Sequence, residues 1–148
     1  MWDESARAGF GPLLPEGHSV PEFDPQRFQE VIQNPDLRTL IAGDTGQAVG
    51  HTTFGKSRDD DVAADVGEIR TFFVRPAAWR HGVGSALMGA ALDELRELGY
   101  AEATVWSFDA NARANAFYEL HGFRRDGAEG REEVWAYLLE VRYRLALP

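Results

Sequence analysis

Val74-Arg-Pro-Ala-Ala-Trp-Arg-His-Gly-Val-Gly-Ser-Ala-Leu87 reads as the end of a buried strand, a proline-marked turn, and a Gly-x-Gly turn that opens a long helix. A tight glycine-containing loop at a helix start leaves several backbone N–H groups without partners. With the positive end of the helix dipole behind them, they make a cradle for phosphate. Three phosphate loops compete for the pattern. A Walker loop needs Lys-Ser/Thr after its last glycine, and here Gly84 is followed by Ser-Ala-Leu. A dinucleotide loop needs G-x-G-x-x-G directly after the first strand, and Leu87 breaks the third position. Both fail.

Outward from this stretch the order is helix, helix, strands, helix, strand, helix, strands, which predicts a mixed α/β (α+β) domain around one sheet over residues 1–148. Any helix near Ser5–Phe10 is short, since Gly9, Gly11, Pro12, Pro15 and Gly17 follow it. Asp24-Pro25 reads as an N-cap with proline at the first helical position. Thr39–Ala42 and Ala48–Phe54 flank a hairpin signal, Gly43-Asp-Thr-Gly-Gln47. Ser57–Asp65, with its Asp59–Asp61 run, reads as a solvated connection, and Glu68–Val74 as the next strand. Gly84–Leu98 is helical with Leu87, Ala91, Leu95 and Leu98 on one face. Ala103–Phe108 is a strand, after which Asp109 caps a helix that ends at Gly122. The tail holds β-like stretches at 122–126, 132–137 and 140–147.

Composition narrows the chemistry. The 148 residues contain no cysteine, which excludes disulfides, thiolate metal sites and a cysteine nucleophile. The histidines at 18, 51, 81 and 121 show no metal-ligand spacing, so no metal is expected. A formal net charge of −9 with no basic stripe argues against nucleic acid and favours a cationic small molecule or basic peptide. No apolar run is long enough for a membrane span, and the N-terminus carries no secretory pattern; a cytoplasmic protein with no membrane partner is expected.

From Glu68 to Phe123 the chain resembles the GCN5-related N-acetyltransferase (GNAT) superfamily. Its Q/R-x-x-G-x-G/A loop corresponds to Trp79-Arg-His-Gly82-Val-Gly84, with Trp79 in place of Gln or Arg. Its N-x-x-A-x-x-F-Y-x-x-x-G-F helix matches Asn111-Ala-Arg-Ala114-Asn-Ala-Phe117-Tyr118-Glu-Leu-His-Gly122-Phe123 at every defining position.

The resemblance implies a mostly antiparallel, splayed sheet of about six to seven strands with about four helices. It also implies acetyl-CoA as cosubstrate and an amine on a small molecule or peptide as acceptor. On that reading the pyrophosphate sits on the amides of Arg80, His81, Gly82, Val83, Gly84 and Ser85. The pantetheine arm pairs with the backbone of Phe72, Phe73 and Val74, and Asn111 bonds the same arm. Tyr118 gives its proton to the departing thiolate, and Glu68 takes the proton of the incoming amine, with His51 as an alternative base. Phe10, Leu13, Leu14 and His18 fall in the segment that lines the acceptor site. The alternatives are another acyl-CoA, or a CoA-binding regulatory module without catalysis. The family's first strand is not readable before Trp2; an open sheet edge is an association hazard, which predicts a homodimer.

Overall fold

The computed structural model describes residues 2–44 and 46–148. The chain opens with helix α1 (Trp2–Gly9) and a 3-10 turn at Gly11–Leu13, followed by α2 (Pro25–Gln33). Asp24 accepts from the N–H groups of Gln26 and Arg27, and Pro25 occupies the first turn, where its missing N–H costs nothing. A hairpin of β1 (Leu37–Asp44) and β2 (Gln47–Lys56) follows; Thr45 of the expected turn lies outside the described residues. Then come β3 (Val66–Val74), α3 (Val83–Glu97), β4 (Glu102–Phe108), α4 (Ala112–Leu120), β5 (Arg124–Gly130) and β6 (Glu140–Ala146).

The six strands form one sheet in the order β1-β2-β3-β4-β6-β5. Every neighbouring pair is antiparallel except β3 and β4. That one parallel pair is short, running from Val66 opposite Glu102 to Ile69 opposite Val105. Past Ile69 the strands part. The register between β2 and β3 slips between Thr53 and Phe54, so Arg70 is an extra residue in β3. A bulge of this kind bends and twists its strand, and here it lies where β3 leaves β4.

One face of the sheet is packed by α3 and α4. Met88, Ala91, Leu92 and Leu95 meet Phe54, Ile69, Val105, Phe123 and Tyr143 in a continuous apolar core, and Leu87 is buried beside Gly50 of β2. Leu98, expected on this face, is the C-cap of α3 and is exposed. The opposite face is polar at its centre, with Glu68, Thr104 and Arg142 buried on it.

Three further expectations need correction. Asp109 does not cap α4: Asn111 does, accepting from Ala114 N–H, while Asp109 pairs with Arg125 at 2.7 Å. Residues 132–137 are not a strand; they hold a 3-10 turn and two non-glycine residues with positive φ, Ala136 and Tyr137. Asp59 and Asp61 are not merely solvated, since both bind the guanidinium of Arg142. Among the described residues no strand precedes α1, and β1 is left at the sheet edge with Ile41 exposed.

Candidate functional site

The gap between the diverging ends of β3 and β4 is where the sequence-predicted residues collect. Arg75 N–H donates to Val49 of β2. By the alternation of an antiparallel ladder, Phe73 also turns its backbone toward β2, whereas Phe72 and Val74 turn theirs into the gap. Of the three residues expected to pair with an extended ligand, Phe72 and Val74 therefore have backbone facing the right way. The Val74 carbonyl is already used, by the Trp79 indole N–H at 2.8 Å and the Ser5 hydroxyl at 3.3 Å. The Phe73 side chain faces away from α3, against Trp2, Phe10 and His51.

At the end of this gap, Gly82 caps α3 with φ +81 and no side-chain bond. The first N–H to bond back is that of Ala86, to Gly82. Among the described residues, no protein acceptor meets the N–H groups of Arg80, His81, Gly82, Val83, Gly84 or Ser85. Arg80 holds φ +64, a conformation that a non-glycine residue adopts at a cost. Six donors in a row, backed by a 15-residue helix, have the geometry suited to an anion. At Gly84 a Cβ would lie 3.3 Å from Phe117, so the glycine lets the start of α3 approach α4. Ser85 Oγ and His121 Nε2, 3.2 Å apart, tie the same two helices; burial lowers the pKa of His121.

Along the gap α4 contributes Asn111 and Tyr118. The Asn111 Oδ1 is spent on capping α4, which leaves its amide NH2 for a ligand. Tyr118 is buried against Phe117, Phe123 and Tyr143, and burial pushes its phenol up to about 12. It is a neutral hydroxyl throughout the physiological range.

Glu68 lies on the polar face, almost fully buried. Its carboxylate accepts from Arg58 three times: backbone N–H at 3.0 Å, Nε at 3.4 Å and Nη2 at 2.7 Å. The sequence did not single out Arg58, Glu132 or Glu140. Glu140 stands opposite Phe108 across the β4–β6 ladder, and so on the same face. Burial, with Glu132 hydrogen-bonded beside it, pushes Glu140 up to about 7, while Arg58 pulls the other way. Phe108, Phe10 and Trp135 pack edge to face at 5.3–5.4 Å next to it. Phe10 thereby bridges the gap between Phe73 and Phe108. The His51 ring stacks on Phe73, its Nδ1 buried without a partner, and burial lowers its pKa. Among the described residues no group of acidic or histidine side chains could hold a metal ion, and no helix is long and apolar enough to cross a membrane.

A sheet split at one parallel pair, with a donor-lined loop at the mouth and a buried phenol along the split, defines an α/β transferase fold. The chain belongs to the acetyltransferase (GNAT) family, whose profile matches residues 4–123. It is 37% identical over 97 residues to a mycothiol acetyltransferase of Beutenbergia cavernae, covering 66% of this chain and 31% of that protein. It is 28% identical over 113 residues to an amino-acid acetyltransferase of Mycobacterium tuberculosis, covering 76% and 55%. The chain thus spans about a third and about half of these relatives. A PaiA N-acetyltransferase from Thermoplasma acidophilum, solved in complex with coenzyme A, shares the fold at a TM-score of 0.67 and 14% identity, covering 97% of this chain and 87% of that one.

Proposed function

We propose that the protein transfers the acetyl group of acetyl-CoA to a primary amine of a small molecule or peptide, by direct attack within a ternary complex. The observation that carries this reading is the run of six unpartnered N–H groups from Arg80 to Ser85, at the mouth of the split sheet. It fits a ligand with a pyrophosphate at one end and an extended amide arm that can lie along Phe72 and Val74. The coenzyme A bound to the Thermoplasma relative has that chemistry.

The amine arrives as an ammonium and must lose a proton before its nitrogen can attack the thioester carbonyl. Glu140 is the better proton acceptor. A group that titrates near neutrality is matched to this task. The Glu68 carboxylate is instead held by Arg58, which it fixes beside the Glu132–Glu140 pair. As the C–N bond forms and the C–S bond breaks, charge develops on sulfur. A phenol at about 12 cannot transfer its proton fully to a thiolate of pKa ~8.5 without an uphill step of roughly 5 kcal/mol. Tyr118 therefore acts as a hydrogen-bond donor to the leaving sulfur. The absence of cysteine leaves no thiol for an acetyl-enzyme on sulfur.

The test is to incubate the protein with acetyl-CoA and a panel of amino acids, polyamines, aminoglycosides and basic peptides, following thiol release. Acetylation of an amine supports the reading. CoA binding without turnover on any amine would mark a non-catalytic CoA-binding module.

A further inference from the structure

Trp79, which replaces the family's Gln or Arg, is anchored at both ends. Its indole N–H holds the Val74 carbonyl, and its ring carries the guanidinium of Arg113 at 3.4 Å from the ring centroid. Arg113 comes from the first turn of α4, on the far side of the gap. Among the described residues its guanidinium takes part in no ion pair or hydrogen bond beyond the stack on Trp79, and one of its terminal nitrogens lies against Gly9 of α1. Arg80, the first residue of the unpartnered amide run, is close enough for the two cations to repel. In a protein of net charge −9, a guanidinium stacked on an indole with no carboxylate partner among the described residues is a cation open to an anion.

We propose that Arg113, laid flat on Trp79, is a side-chain ligand of the cosubstrate's pyrophosphate and closes over it from the α4 side. Stacking fixes the plane of the guanidinium and leaves its N–H edge free, the geometry suited to two oxygens of one phosphate. Trp79 is then a positioning residue that holds the platform in line with the end of β3. The inference rests on the acetyl-CoA reading above.

The experiment is calorimetric titration with CoA and with 3′-dephospho-CoA, at two salt concentrations, of the wild type, Arg113→Gln, Arg113→Lys and Trp79→Phe. Arg113→Gln is expected to weaken both ligands equally, by about tenfold, and to flatten the salt dependence. Arg113→Lys should recover only part of the loss, because an ammonium cannot stack and fork in the same way. CoA should also change the indole fluorescence of the wild type, and Trp79→Phe should lose that change. Equal melting temperatures for the four proteins exclude a folding defect. A loss confined to CoA and absent for dephospho-CoA would place Arg113 on the 3′-phosphate and overturn the proposal. So would unchanged affinity in Arg113→Gln. If the wild type itself fails to bind CoA, the acetyl-CoA reading falls first, and that result is separate.

Discussion

At Tyr118 and Glu140 burial moves two acids in the same direction, and the proposed mechanism gives them opposite uses. Tyr118 keeps its proton at any working pH; Glu140 loses its proton close to neutrality. Tyr118→Phe removes the donor while preserving the ring that packs on Phe123 and Tyr143. We expect kcat to fall by about a hundredfold, with CoA affinity unchanged in a direct titration. On the proposed mechanism the base form of Glu140 is the active one, so kcat/KM of the wild type should rise with pH through about 7. Glu140→Gln should abolish that limb, whereas Glu68→Gln, which frees Arg58, should keep the limb but shift its midpoint. Stability gives an independent check. A carboxyl raised above its unfolded value stabilises the fold below about 4.5 and loses that contribution as pH rises through about 7. Glu140→Gln should therefore raise the melting temperature at pH 8 and give no gain at pH 4. With half of this group solvated, the gain is on the order of 1 kcal/mol. Residues such as Tyr118 were legible in the sequence because the motif fixes them within one helix. The Trp79–Arg113 stack and the Glu132–Glu140 pair were not, because they join elements whose proximity only the fold creates.

The connection from β2 to β3 shows the same limit at the scale of an element. Its three consecutive aspartates read as solvent-facing, and Asp61 is largely exposed. What the sequence could not show is Arg142, buried on β6 and more than 80 residues away in sequence. Its guanidinium meets Asp59, Asp61 and Asp126 at 3.0, 2.7 and 2.6 Å. Trp106 adds a hydrogen bond to Asp59. Arg58 belongs to the same connection, so this latch sets where the Glu68 partner stands. Arg142→Met would leave Asp59 and Asp61 without a counter-charge and Asp126 with Arg144 alone. Since Asp61 and, in part, Asp59 can reach water, the expected cost is about 2–3 kcal/mol, short of that for a fully buried pair. The measurements are a melting temperature lower by about 5–10 °C and faster amide exchange across residues 57–65. Unchanged exchange there would show that the ion pairs do not hold the segment. The β1–β2 hairpin, by contrast, was legible because alternation and turn chemistry are local. The span 132–137 was misread because its β-like residues are held instead by the 3-10 turn and the bond from Arg131 to the Tyr137 carbonyl.

Across the whole molecule, the sheet is two antiparallel blocks, β1-β2-β3 and β4-β6-β5, joined along only the four register pairs from Val66 to Ile69. The order of elements was readable from the chain, but the place of the split was not, since it depends on the extra residue at Arg70 and on which strands part. Beyond the four pairs the blocks meet through side chains: Phe10 between Phe73 and Phe108, and Arg113 on Trp79. An extended ligand bonded to Phe72 and Val74 on one side and to α4 on the other would add main-chain contacts where the sheet lacks them. CoA at about a hundred times its Kd should then stabilise the native state by about 2.7 kcal/mol, raising the melting temperature by roughly 5–10 °C. The gain should be local as well as global: the amides of Phe72 and Val74 should exchange more slowly with CoA bound, and those of β1 at the far edge should not. A thermal shift with no protection at Phe72 and Val74 would mean that CoA binds on the amide loop alone, with its arm outside the split.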